Sequence, residues 1–228
     1  MKKDRETKQN LSNTVYLDLK ERIKELRLPP NSVLLERTLS DALGTSRTPV
    51  REALKRLAQD GWVILQDRKR AVVRDISVKD VQEVFMLREM VEIFSINTIF
   101  SSEEPRLIAG LLVPVLNAMK KNIDDPITFN REDMKFHSII VEHLKNERLN
   151  QIWDRIRDEI TRIALYSVHE NRHPESIIAE HENLIDGFWE RNCEKTVTSM
   201  KDHYEMILKA YSMKFDNQEN SDGSAKKE

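Results

Sequence analysis

The sequence predicts a mainly α protein, with a winged helix-turn-helix domain at the N-terminus and an all-helical bundle after it. Three observations lead there. Apolar residues recur at three- and four-residue spacing along most of the 228 residues, the period of helices buried on one face. Only 5 Gly and 7 Pro occur, too few for the many turns of an all-β fold. One stretch reads differently: Trp62-Val63-Ile64-Leu65 and Ala71-Val72-Val73 flank the polar tip Gln66-Asp67-Arg68-Lys69-Arg70, the pattern of a hairpin or wing.

A first helix is expected over 12–26, where Val15, Leu19, Ile23 and Leu26 share a face and Ser12 is placed to cap the start. Pro29 and Pro30 then end it, because proline cannot continue the hydrogen-bond ladder. A short helix over 36–43 stops at Gly44, and a third runs over 47–60 to Gly61, with Pro49 tolerated in its first turn. Two short helices joined by a glycine-containing turn form a helix-turn-helix. From Ser77 onward six helices are expected, over 78–100, 104–121, 130–144, 147–167, 176–192 and 194–213. Pro114 predicts a kink or break in the second of these, while Pro126 and Pro174 read as connections. The resulting division is a flexible N-terminus (1–10), the winged helix-turn-helix domain (11–76), an all-helical domain (77–215) and a disordered polar tail (216–228).

Composition narrows the function. Hydrophobic residues make up 39%, enough for a core, and charged residues 33%. No apolar run approaches the ~20 residues of a membrane span, and the single Cys193 excludes an internal disulfide framework, so a reducing cytoplasm is expected. The net charge of -2 conceals an asymmetry. Residues 1–76 hold 17 Lys and Arg against 11 Asp and Glu; the remainder holds 20 against 28. A basic front and an acidic back imply that only the front meets a polyanion.

The third helix separates its faces. Val50, Ala53, Leu54 and Leu57 point inward, while Arg47, Arg51 and Lys55 recur every four residues along another side. Guanidinium forks there suit guanine O6 and N7 in a major groove, or a phosphate. Thr45, Ser46 and Thr48, beside the helix start, can donate to phosphate oxygens. The competing reading is an ordinary solvated face. The stretch from Leu35 to Leu57, Leu-Glu-Arg-Thr-Leu-Ser-Asp-Ala-Leu-Gly-Thr-Ser-Arg-Thr-Pro-Val-Arg-Glu-Ala-Leu-Lys-Arg-Leu, followed by Asp60-Gly61, resembles the GntR family of bacterial regulators. The resemblance implies that Arg37, Arg47 and Arg51 are the main DNA contacts, assisted by hydroxyls at Ser46 and Thr48. Two positions depart from the family: Asn31 stands where a Gly often precedes the second helix, and the wing tip lacks its usual Gly. Arg68 would take the minor-groove contact instead.

In the back half, four polar residues fall on apolar stripes. Asp133 and His137 share a face with Ile140, Val141 and Leu144; His181 with Ile177, Ile178, Leu184, Ile185 and Phe188; His203 with Met200, Met206, Ile207 and Ala210. A buried ionised carboxylate needs a cation or strong donors. One divalent ion held by Asp133, His137, His181 and His203 would satisfy all four; the set suits Zn, Ni, Mn or Fe, with positions left for water or ligand. Taken singly, each His is equally readable as a satisfied core residue. His143, His169 and His173 fall off the stripes.

This half, over about 77–213, also resembles the FCD effector domain of the FadR-like subfamily, through Leu87-Arg88-Glu89-Met90-Val91-Glu92, Asp133-Met134-Lys135-Phe136-His137, Glu180-His181-Glu182-Asn183-Leu184 and His203. Members with this Asp and three His contain a metal that helps hold a small carboxylate effector; acyl-CoA-binding members lack the set. Arg88, among Val84, Phe85 and Val91, is the first candidate to meet that carboxylate, with Arg155 and Arg162 next; Arg162 can instead pair with Asp158 or Glu159. The expected whole is a homodimeric repressor or activator on a palindromic operator, controlled by a small organic acid. Two other readings stay open: a metal-dependent hydrolase fused to a DNA-binding module, against which stands the lack of a G-x-S-x-G motif, and a sensor of the metal alone.

Overall fold

The computed structural model describes residues 2–67, 70–102, 104–171 and 173–224. The chain divides into two compact units, Met1–Ile76 and Ser77–Glu228.

The first unit contains α1 (Lys2–Lys24), β1 (Val33–Leu35), α2 (Glu36–Ala42), α3 (Arg47–Gln59), β2 (Val63–Asp67) and β3 (Arg70–Val73). Its core joins Val15, Leu19 and Ile23 of α1 to Val50, Ala53, Leu54 and Leu57 of α3, closed by Trp62, Val63, Ala71 and Val73 of the hairpin. Each such large side chain contributes ~1.5–3 kcal/mol by leaving water, so α3 is anchored along its whole apolar stripe and its other side is free to face outward. Gly44 and Gly61 end α2 and α3 at φ +60 and +80, the left-handed conformation that glycine adopts without strain.

Three features differ from the sequence expectation. Ser12 lies inside α1 rather than at its cap, because the helix extends back through the polar N-terminal residues. α1 ends ahead of the prolines: Leu26 adopts φ 57, and Leu28 N–H donates back to Arg22 O at 2.9 Å. The wing also gains a third strand. β1 pairs antiparallel with β3, in the order β1-β3-β2, with Val33 opposite Val72. Three residues are too few to display a strand period.

The second unit is α4 (Val78–Ser102), α5 (Pro105–Lys121), α6 (Pro126–Glu142), α7 (Glu147–Asn171), α8 (Pro174–Trp189) and α9 (Cys193–Ser224). Pro126 and Pro174 open α6 and α8 instead of lying in connections, since an N-terminal proline lacks only an N–H that would be unpaired there. Asp125 caps α6, accepting from Ile127 N–H at 3.1 Å and Thr128 N–H at 3.2 Å. α5 continues through Pro114 without the break expected there; its buried face (Ile108, Ala109, Leu112, Val115, Leu116, Met119) holds it by packing. α9 is helical through the polar residues 216–224, beyond the predicted end at Met213. An established helix propagates far more easily than it nucleates, so polar composition alone does not stop it.

Gly187 of α8 lies against Thr196 of α9, where an added Cβ would stand 3.1 Å from the Thr196 backbone N. The close approach brings the two helices that carry His181 and His203 together. Among the described residues, no helix is long and apolar enough to cross a membrane.

Candidate functional site

Asp133 and His137 stand one turn apart on α6, His181 on α8 and His203 on α9, all four buried. One ligand atom from each lies within 4.8 Å of the others. Asp133 Oδ1 is 3.1 Å from His181 Nε2 and 4.0 Å from His137 Nε2. Neither approach forms a hydrogen bond, and Asp133 Oδ1 and the Nε2 of all three imidazoles are buried with no hydrogen-bond partner. Four such atoms facing one point is a costly arrangement unless something fills it.

The other ring nitrogens are anchored. His181 Nδ1 donates to Ile177 O at 2.7 Å, His137 Nδ1 to Glu92 Oε2 at 2.6 Å and His203 Nδ1 to Glu180 Oε2 at 2.7 Å. Each partner accepts only, so each neutral ring carries its proton on Nδ1 and turns the Nε2 lone pair inward. Burial, then the neighbouring His181 and His137, pushes His203 well below the ordinary histidine value; burial also lowers His137, against Glu92. Neutral imidazoles with oriented lone pairs are what a divalent transition metal requires, and the donor set of three nitrogens and one carboxylate fits such an ion.

Arg88 lies behind His137. Its Nε donates to Glu92 Oε1 at 2.7 Å, and both side chains are buried. Burial pushes the Glu92 carboxyl up, but His137 and Arg88 more than offset this and hold it at about 2. The Arg88 guanidinium carbon lies 5.1 Å from the Tyr204 ring centre and 5.5 Å from that of Phe85. Arg88 Nη2 is buried and has no hydrogen-bond partner. Arg162 is buried on α7; Arg155 is exposed, off the face that carries Trp153, Ile156 and Ile160, and does not join this buried group. Glu92 and Glu180 escaped the sequence reading as partners, although Glu92 sits one turn from Arg88 on the same inward stripe.

In the first unit Ser46, Arg47, Thr48, Arg51 and Lys55 are all exposed at the start and along one side of α3, and Arg37 is exposed on α2. Ser46 is the N-cap residue of α3 and makes no side-chain capping bond. Lys55 Nζ contacts Glu52 Oε1 at 3.1 Å, and Arg37 Nε lies 3.9 Å from Asp41 Oδ2, weak exposed pairs that solvent screens. Arg51 is different: it forms a two-pronged pair with the buried Glu36, a partner the sequence reading did not identify. Arg68 lies outside the described residues.

Comparison with known proteins agrees with both halves. Residues 11–73 match bacterial regulatory proteins of the gntR family, and residues 83–206 match the FCD domain. An uncharacterized HTH-type transcriptional regulator in an unstable DNA locus of Streptomyces ambofaciens is 26% identical, over 85% of this chain and 82% of its own. The gluconate operon transcriptional repressor of Bacillus licheniformis is 25% identical over 85% of this chain and 82% of its own. A crystal structure of a GntR transcriptional regulator from Rhodococcus sp. RHA1 shares the fold, with a TM-score of 0.73 at 20% identity, covering 88% of this chain and 96% of that one. These relatives are regulators of transcription rather than enzymes. With a GntR helix-turn-helix in front and an FCD domain behind, the chain belongs to the GntR family of DNA-binding transcriptional regulators.

Proposed function

We infer that the chain is a homodimeric regulator whose hold on a palindromic operator is set by a small carboxylate bound at a divalent transition metal. The observation that carries this reading is the set of four buried atoms, three Nε2 and Asp133 Oδ1, that face one another without hydrogen bonds. Asp133, His137, His181 and His203 would hold the ion, which supplies a Lewis-acidic position for a carboxylate oxygen. Zn, Ni, Mn and Fe all suit the donors.

Arg88 favours an organic anion over a sensor of the ion alone. Glu92 engages only its Nε, and a bound carboxylate would give the buried Nη2 an acceptor. Arg162, also buried, is a second contributor. The relative named for the gluconate operon controls genes named for an acid of this kind. This membership of an effector-controlled, FadR-like subfamily acting in the cytoplasm is part of the same reading.

On the DNA side, α3 would enter the major groove with Arg47, Arg51 and Lys55, while Arg37, Ser46 and Thr48 take phosphates or neighbouring base edges. Met86, Leu87, Met90 and Phe94 leave an apolar strip exposed on α4, which supports pairing of two copies. Two copies would also supply the second recognition helix that a palindrome needs.

Elemental analysis of the purified full chain tests the metal. The wild type should carry about one divalent ion per chain and His181→Ala much less; equal metal in both would return His181 to the core. Calorimetric titration with small mono- and dicarboxylates, before and after chelation, tests the effector. Heat that appears only with metal present is the expected result.

A further inference from the structure

Glu36 opens α2 and Arg51 lies in α3, 15 residues later. Arg51 Nε donates to Glu36 Oε1 and Arg51 Nη2 to Glu36 Oε2, both at 2.8 Å. The Glu36 side chain is 5% exposed and that of Arg51 46%. The pair therefore has an inner, buried half and an outer, open half.

A guanidinium offers five N–H donors in a rigid plane. Glu36 takes one from Nε and one from Nη2, along one edge. Two remain on Nη1 and one on Nη2, along the end of the fork. Because Glu36 is buried, the exposed edge is the one turned away from it, on the same side of α3 as Arg47 and Lys55. An end-on fork of this kind matches the two acceptors of guanine, O6 and N7.

Charge argues in the same direction. Glu36 cancels the positive charge of Arg51 next to a face that meets phosphates, and so weakens general attraction to DNA. The benefit must lie elsewhere. An unpaired arginine samples many rotamers and loses them on binding, whereas one already clamped presents its donors at no further ordering cost.

We propose that Glu36 is a positioning residue for DNA reading: its buried carboxylate clamps Arg51 in free and bound protein alike, presenting Nη1 and Nη2 as a fixed double donor to a guanine in each half-site. The inference rests on α3 being the recognition helix. Replacing Glu36 should therefore damage sequence preference at one base-pair position while leaving, or strengthening, attachment to DNA in general.

The test uses the full chain. Duplexes enriched by the wild type from a random-sequence library define its preferred site and a non-matching control. Arg51→Ala should lose about tenfold preference at one position of each half-site. Glu36→Gln, which removes the charge and keeps the volume, should lose preference at that same position, with affinity for the control unchanged or raised. The double variant should lose no more there than Arg51→Ala alone, since Glu36 acts only through that contact. A Glu36→Gln site identical to the wild-type site, or a loss spread evenly over all positions, overturns the proposal. If Arg51→Ala itself changes nothing, the recognition-helix reading fails, and the inference with it.

A second measurement needs only a folded wild type. The Arg51 Nε–H resonance, assigned by its loss in Arg51→Ala, should be protected from exchange in the free protein and stay so when the enriched duplex is added. Loss of protection on binding would mean that the fork leaves Glu36 for DNA, which also overturns the clamp.

Discussion

Arg88 and Glu92 stand one turn apart on α4 and form a buried ion pair, Nε to Oε1 at 2.7 Å. The other oxygen of Glu92 accepts a hydrogen bond from His137 Nδ1 at 2.6 Å. One carboxylate thus joins the arginine proposed to meet an effector to a histidine proposed to hold the metal. An anion drawing Arg88 toward itself would pull on the group that orients His137. This is a physical connection between the two ligands, made through a single side chain.

Glu92→Gln tests the connection. The amide oxygen can still accept one hydrogen bond, but the charge that balances Arg88 is gone. Breaking a fully buried pair by removing one partner costs ~3–5 kcal/mol, to be read as a lower midpoint in denaturant unfolding. Metal affinity should fall about 10- to 100-fold, as for other losses of a partner behind a metal-bound histidine. Competition with a chelating dye measures it, and an unaltered affinity would disconnect Glu92 from the metal.

Metal removal should destabilise the FCD domain and spare the DNA-binding domain. A ligand present at about 100 times its dissociation constant stabilises the state that binds it by ~2.7 kcal/mol, so chelation should lower the melting temperature by several degrees. Adding back the ion restores it in the wild type and not in His203→Ala. A melting temperature indifferent to chelator and to added ion would contradict the site.

Acid should act in the same place. Burial lowers His137 and His203 in the folded state, so the unfolded chain takes up protons first as the pH falls. Stability from these neutral rings is therefore complete above the ordinary histidine value of ~6.5 and is lost progressively below it. Glu92, held at about 2 while the unfolded group titrates near its ordinary value of 4.5, adds a second loss between those limits. Arg88, Asp133 and His181 surround these groups and set the size of both steps. Chelated protein melted between pH 8 and pH 5 should lose stability steadily below ~6.5. A flat profile would show that the rings titrate as they do in the unfolded chain.

Much of this site is legible from period alone, and the remainder is not, for a definable reason. His137, His181 and His203 stand on stripes of apolar residues, so their burial follows from helical spacing within one segment. Their partners follow from how segments approach: Glu92 is 45 residues from His137, and Glu180 is 23 from His203. The same holds for Glu36 beneath Arg51. Local rules also misplaced Pro126 and Pro174, which resemble breakers in sequence and serve as first helical residues once Asp125 and His173 take the cap positions. The third strand, Val33–Leu35, exists only because β3 is there to pair with it.

Gly187→Ala probes the frame rather than the ligands. The new methyl would press on the backbone of Thr196, which cannot swing aside as a long side chain would. Overpacking of this kind costs ~1–3 kcal/mol, and relief requires α8 and α9 to separate. Separation would move His181 away from His203, so metal affinity should fall together with stability. Loss of stability with full metal retention would show that the collision is absorbed elsewhere.

Arg47→Ala examines the DNA face. Arg47 is the first residue of α3 and is exposed, and its side chain makes no ion pair or hydrogen bond among the described residues. Its removal should leave the core of Val50, Ala53, Leu54 and Leu57 intact, so the melting temperature should stay within a degree or two. Affinity for the enriched duplex should drop by ~1–3 kcal/mol. If Arg47 reads a base, the loss is confined to one position and non-matching DNA is bound nearly as before. If it grips a phosphate, affinity falls equally for every duplex and the salt dependence becomes shallower by about one counterion. Titrations on matching and non-matching duplexes at two salt concentrations distinguish these outcomes. Unchanged affinity for both duplexes would remove Arg47 from the interface.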